Sequence, residues 1–199
     1  QFIPDRIPTV SSGVEWIGTE PPAKAAASPT LPRLGDFRPW ETCMTINDTW
    51  AYNQHDRNYK SATQLIRTLI EVESKGGNLL LNVGPAPDGT IQPEFQERLL
   101  AVGEWLKVNG EAIYGTTYGP WQDLPFGKTT AKGKTIYLHV FDWPKGVLEL
   151  QAPGTRVKQV TLLATGETLR FTQAGSRLRV IVPPQGPDPH ASVLVCKTR

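Results

Sequence analysis

The spacing of apolar residues changes once along this chain, near Thr116, and that change limits the folds open to it. Before it, helical spacing alternates with a short continuous apolar run. Beyond it, only short alternating runs remain. One layer architecture does not produce both patterns, so the chain reads as an α/β portion followed by an all-β portion.

The α/β portion is densest between residues 40 and 115. Ser61-Ala62-Thr63-Gln64 has the form of a capping box, in which the hydroxyl caps the helix and the glutamine reaches back. Leu65, Ile66, Leu69, Ile70 and Val72 follow at helical spacing, and Lys75-Gly76 is a stop signal. Asn78-Leu79-Leu80-Leu81-Asn82-Val83 then reads as a strand buried on both faces, typical of parallel sheets. Gly84-Pro85 ends it. Pro93 opens a second helix with Phe95, Leu99, Val102 and Leu106 as one stripe, closed by Asn109-Gly110. Trp40–Asn47 supplies a preceding strand or strand end. The order is that of two βα units. A complete (β/α)8 barrel takes about 250 residues, so these two fit its end.

Between 116 and 199 the β-rich runs are 135–140, 147–150, 159–163, 168–172, 177–182 and 192–196, separated by turns containing Gly, Pro or Asp. Leu178, Val180 and Val182 alternate with Arg177 and Arg179. Regular short strands without helical spacing predict an antiparallel β-sandwich. The domain division is therefore 1–115 and 116–199. Within the first, residues 1–39 form a Pro-rich loop whose seven prolines exclude long helices and central strands.

Composition excludes several classes. Lys and Arg total 21 against 19 acidic residues, a net charge of +2 without the basic face of a nucleic-acid binder. No apolar run approaches the roughly 18 residues of a membrane span. Two cysteines, Cys43 and Cys196, build neither a disulfide scaffold nor a zinc site, and they fall in different portions. His55, His139 and His190 are too scattered for a metal cluster. The chain starts at Gln1, without an initiator Met, and reads as a processed or truncated piece.

Chemistry in a parallel βα structure belongs at strand C-terminal ends and the loops after them. Glu41, beside Trp40, pairs a carboxyl with an indole, as in sites that keep a carboxylic acid protonated. Asp56, in Gln54-His55-Asp56-Arg57, is a second carboxylate, and Glu15 and Glu20 are further ones. Each of these also reads as an ordinary rim or loop charge. Gly76-Gly77-Asn78 precedes a strand, so it is no phosphate loop. Trp121, Phe141 and Trp143 read either as sandwich core or as a sugar-stacking platform.

Trp40-Glu41-Thr42-Cys43, Thr45-Ile46-Asn47, Trp50-Ala51-Tyr52, the run Ser74–Pro85, Asp88-Gly89-Thr90-Ile91, Gln96–Leu99, Gly103–Leu106 and Asn109–Tyr114 occur in the order seen in retaining α-L-fucosidases, glycoside hydrolase family 29, which this stretch of about 75 residues resembles. The tail resembles that family's C-terminal sandwich in position and style. The resemblance implies a (β/α)8-like catalytic barrel followed by a β-sandwich, and hydrolysis of terminal α-L-fucose from glycans with retention. It implies no metal or organic cofactor. Retention needs two carboxyl groups about 5–5.5 Å apart. The family's nucleophile is an Asp beside a Trp on an earlier strand. No such motif occurs here, so the nucleophile is expected upstream of Gln1, in an N-terminal barrel remainder that is then an obligate partner.

The resemblance puts the acid/base on Glu41 in one branch of the family. In the other it falls near Asp56, where this chain has Asp rather than Glu, and an Arg near the sugar falls on Met44. Trp40, Asn78 and Leu79 are implied sugar contacts. A non-catalytic carbohydrate-binding sandwich is the alternative reading. The sequon Asn47-Asp48-Thr49 and the sparse cysteines suggest a secreted or vacuolar/lysosomal protein.

Overall fold

The computed structural model describes Val14–Glu15 and Trp40–Arg199. The expectation of a Pro-rich loop, and Glu20 with it, lies outside the described residues, apart from a two-residue strand β1 at Val14–Glu15. The chain divides into two compact units, residues 1–102 and 103–199.

In the first unit, β2 (Trp40–Thr45) and β3 (Gly77–Asn82) run parallel, with helix α1 (Ala62–Glu73) between them in sequence. Helix α2 (Pro93–Asn109) follows β3, its residues from Gly103 on belonging to the second unit. This is the strand–helix–strand–helix order read from the sequence. β1 adds to β2 antiparallel, Val14 opposite Met44 and Glu15 opposite Cys43. The capping box forms. Gln64 N–H donates to Ser61 Oγ at 3.2 Å, and Ser61 N–H donates to Gln64 Oε1 at 2.8 Å. Gly76 ends α1 with φ +73°, a left-handed conformation that costs glycine nothing.

Met44, Ile46, Leu65 and Phe95 form the core of this unit, with Leu79, Leu81 and Val83 packed against it. Fully burying each such side chain contributes roughly 1.5–3 kcal/mol. Two expectations need correcting. β3 is not buried on both faces: Leu79 and Leu81 pack, but Asn78 and Leu80 are exposed, Leu80 at 44%. In α2, Phe95 is buried as expected, but Leu99 is exposed and the nearby Trp105 is buried instead. Helical spacing marks a stripe but not its width.

The second unit is an antiparallel sandwich. One sheet has five strands in the order β4 (Thr117–Tyr118), β5 (Gly127–Lys132), β6 (Thr135–Val140), β11 (Ser192–Thr198), β8 (Val157–Leu162). The other has three, β7 (Val147–Gln151), β10 (Arg177–Ile181), β9 (Phe171–Ala174). Leu148, Leu150, Leu178 and Val180 from the smaller sheet meet Leu138, Val160, Leu162 and Leu194 from the larger. β5 escaped the sequence reading because its buried members are Thr129 and Thr130 rather than aliphatic residues. Thr130 is satisfied by donating its hydroxyl to Ala112 O at 2.6 Å.

Candidate active site

The parallel register pairs Trp40 with Gly77, Glu41 with Asn78, Thr42 with Leu79, Cys43 with Leu80, Met44 with Leu81 and Thr45 with Asn82. Successive side chains in a strand alternate between faces. Trp40, Thr42, Met44, Gly77, Leu79 and Leu81 therefore share the face that packs under the helices. Glu41, Cys43, Thr45, Asn78, Leu80 and Asn82 share the other, which is more polar and partly open.

This pleat separates residues that the sequence put together. Glu41 and Asn78 are neighbours on the open face. Trp40 and Leu79 lie on the opposite one. Trp40 is 2% exposed, and its indole N–H donates to Lys75 O at 3.2 Å. A Cβ on Gly77 would stand 2.3 Å from that indole, so Gly77 is the only residue type that leaves room for it. Adjacency in sequence suggested an indole wall for the Glu41 carboxyl, and the strand puts that wall on the other side.

Height matters as well as face. Ligands of parallel sheets bind beyond the carboxyl ends of the strands. Glu41 is the second of six residues in β2, and Thr45, four residues on, is the last. At about 3.3 Å per residue the two are separated by roughly 13 Å along the strand. Glu41 thus sits low on the open face. Cys43, between them, is buried, and burial first, then the nearby Glu41 charge, raises its thiol pKa. Such a thiol is unreactive. Both cysteines are free and buried.

The mouth is built by the loop from Ile46 to Lys60. Lys60 N–H donates to Ile46 O at 2.8 Å, and Lys60 Nζ donates to Asn47 O at 3.0 Å. Asp56 ties the middle together. Its Oδ2 accepts the Asp48 N–H at 2.9 Å and the Thr49 hydroxyl at 3.1 Å, and its Oδ1 accepts the Asn58 N–H at 3.1 Å. The slight burial of its carboxyl pushes the pKa up, but these donors outweigh it and hold Asp56 below the usual carboxylate range. Asn58 Nδ2 also donates to Asp48 Oδ2 at 2.8 Å. Asn82 Nδ2 donates to Trp50 O at 2.8 Å, fixing the loop to the end of β3. The backbone at Ala51 and Tyr52 comes close enough that a Cβ on Gly84 would meet Tyr52 N at 2.6 Å.

The result is a braced rim carrying Trp50, which is exposed, and Tyr52, which is partly exposed. Sequence reasoning named Asp56 but missed its brace. The signal was the Asp-x-Asn spacing of residues 56–58, typical of an Asx turn. Asn47 of the sequon is 2% exposed and its Nδ2 donates to Thr49 Oγ1 at 3.2 Å, so the amide that would carry a glycan is enclosed. Among the described residues, no three His, Cys, Asp or Glu side chains group as metal ligands, and no helix is long and apolar enough to cross a membrane. Trp121 is buried in the sandwich core, and the half-buried Trp143 donates to Pro183 O at 2.9 Å, so neither is a stacking platform.

A parallel pair ending in a braced polar mouth, followed by a β-sandwich, is the arrangement matched by comparison with known proteins. The α-L-fucosidase family model matches residues 23–111, and the α-L-fucosidase C-terminal domain model matches residues 126–195, in that order. The chain belongs to the α-L-fucosidase family.

Among curated relatives, the fucosidase from Homo sapiens called tissue alpha-L-fucosidase is 39% identical over 159 residues, covering 74% of this chain and 34% of its own length. The alpha-L-fucosidase of Dictyostelium discoideum is 36% identical over 172 residues, covering 77% of this chain and 37% of its own. Among solved structures, alpha-L-fucosidase isoenzyme 1 from Paenibacillus thiaminolyticus superimposes with a TM-score of 0.76 at 37% identity, over 81% of this chain and 40% of that one. A family 29 fucosidase from Bacteroides thetaiotaomicron, trapped as a covalent intermediate with 2-fluoro-fucosyl fluoride, gives 0.75 at 31% identity, over 81% of this chain and 38% of that one. The chain thus spans between a third and two fifths of these relatives' length. Its βα units are the C-terminal end of a fucosidase barrel, with the family's β-sandwich after them.

Proposed function

We propose that this chain works as the C-terminal part of a retaining α-L-fucosidase that removes terminal α-linked fucose from glycans. Residues 1–115 belong to the catalytic barrel and 116–199 to the sandwich. The observation that carries this reading is the open, polar face of β2 and β3 beneath a braced mouth, in a chain matched in order by both fucosidase models. That face requires the rest of a barrel to cover Leu80 and enclose Asn78. The relatives' greater length supports a remainder that supplies the cover and the nucleophilic Asp. The fucosidase reading favours a secreted or vacuolar/lysosomal location.

The acid/base role has two candidates. A general acid must reach the glycosidic oxygen within hydrogen-bond distance and must be protonated. Asp56 is at the mouth, but its donors favour the ionised form. Glu41 is on the open face of β2, beside Asn78. We assign the acid/base role to Glu41, with Asp56 as the runner-up. In the barrel-complete enzyme, Glu41→Gln is expected to lower turnover of a natural fucoside by about 10²–10⁴-fold, to cost an activated aryl fucoside less, and to allow rescue by azide. Equal loss on both substrates without azide rescue, with selective loss and rescue in Asp56→Asn, passes the role to Asp56.

The reading as a whole is tested by trapping. The barrel-complete enzyme, incubated with 2-fluoro-fucosyl fluoride and digested, is expected to carry one 2-fluorofucosyl group on an Asp of a peptide outside residues 1–199. Absence of any label, or a label within these residues, contradicts it.

A further inference from the structure

A cavity of about 590 Å3 lies against the three-stranded sheet, lined by Val147, Arg170, Thr172, Arg179 and Ile181 on its outer face and by Leu169 and Phe171 from the core side. Its floor follows from the register. Ile181 stands opposite Val147, and Arg179 stands between Glu149 on one side and Thr172 on the other. Leu178 and Val180 point into the core, so Arg179 and Ile181 point out. Arg170, just before β9, has the parity of Thr172. Its carbonyl accepts the Ile181 N–H at 2.8 Å. Arg170 and Arg179 are thus diagonal cross-strand neighbours, a spacing of about 7–8 Å.

The two arginines differ. Arg179 Nε is 3.1 Å from Glu149 Oε2, and Glu149 also meets Arg177 Nε at 3.3 Å. Arg170 has no ion pair or side-chain hydrogen bond among the described residues. A free guanidinium beside a fixed one, with a hydroxyl between strands and two exposed aliphatic side chains, is suited to a ligand with one anionic group and an apolar face. The volume lies within the range of small-molecule sites. One unpaired cation is too few for a nucleic-acid strand.

We propose that this cavity is a subsite for an acidic oligosaccharide, with Arg170 taking a sulfate ester or carboxylate while Val147 and Ile181 carry the apolar face of a sugar ring. Arg179 and the Thr172 hydroxyl complete the anion's partners. The saccharide part rests on the fucosidase reading, whereas the anion part rests on the cavity alone.

The test is calorimetric binding to the barrel-complete protein, with four probes: a sulfated fuco-oligosaccharide, a uronate-bearing oligosaccharide, the desulfated form of the first, and inorganic sulfate. One or both acidic oligosaccharides are expected to bind with an affinity that falls as salt rises. Which of them binds identifies the anion. Arg170→Ala should weaken that binding roughly 10- to 100-fold, the range for a charge-assisted hydrogen bond. Arg170→Lys should recover part of it, and aryl fucoside turnover should be unchanged in both variants. Equal binding of the desulfated probe, equal binding of inorganic sulfate, failure of both acidic probes to bind, or full affinity in Arg170→Ala overturns the proposal. Binding in a protein without fucosidase turnover leaves the subsite standing and overturns the catalytic reading instead.

Discussion

The 199-residue chain alone will turn over an aryl α-L-fucoside at less than about 10⁻⁴ of the barrel-complete enzyme's rate. The expectation comes from balance in the double displacement. One carboxylate must attack the anomeric carbon while a second carboxyl, about 5–5.5 Å away, protonates the leaving oxygen and later activates water. Removing the nucleophile removes the covalent route, and a remaining acid has no intermediate to act on. The described face offers Glu41 low on β2 and Asp56 locked in its loop, which is no such pair. Loss of activity through simple misfolding is separated by near-ultraviolet circular dichroism, because Trp121 is buried in the sandwich and reports its packing directly. An isolated chain with a folded sandwich and no turnover is the expected result. Turnover by a verified 1–199 chain would place both carboxyls within it.

How far the sequence could be read depended on whether each pattern was local. The first helix was legible because its start, Ser61 to Gln64, and its stop at Gly76 act through backbone groups a few residues away. The β-sandwich was legible because alternation at Leu178 and Val180 reports burial on one face. β5 was not, because threonines enter a core only when another segment supplies acceptors, here Ala112 for Thr130. The continuous run Leu79–Leu81 suggested two buried faces, yet only one has a helix over it among the described residues.

The site was less legible than the fold for the same reason. Trp40 and Glu41 are adjacent in sequence, and adjacency on a strand means opposite faces. Asp56 was recognisable as a carboxylate, but its three donors come from Asp48, Thr49 and Asn58 through a folded loop. The family resemblance identified the chemistry, while strand height and face had to come from the structure.

His139 supplies the largest stability change expected within the sandwich. It lies on β6, fully enclosed, with its ring 6.4 Å from that of Trp105. Its Nε2 is 3.0 Å from Thr130 Oγ1. The single Thr130 proton goes to Ala112 O, so Oγ1 accepts from His139, which assigns the proton to Nε2. Nδ1 then faces the interior with a bare lone pair and no partner among the described residues. Protonating it would bury a cation without an acceptor. Burial accordingly lowers the pKa to about 3, against a weaker opposing effect from the Ala112 backbone. The folded pKa lies below the ordinary value of about 6.5, so the unfolded chain binds more protons and stability falls with falling pH. The contribution is complete above about 6.5 and is lost progressively down to about 3. Between pH 7 and pH 5 the loss is about 2 kcal/mol. Glu73, in the first unit, is raised by burial to about 7 and acts in the opposite direction. Comparing wild type with His139→Gln cancels that effect, since Gln keeps an N–H for Thr130 but does not titrate. Amide exchange of β6 and β11, corrected for intrinsic rates, should show wild type losing about 2 kcal/mol more than the variant between pH 7 and pH 5. An equal loss in both proteins would mean that His139 does not sense pH in this range and that other groups set the acid lability of the sandwich.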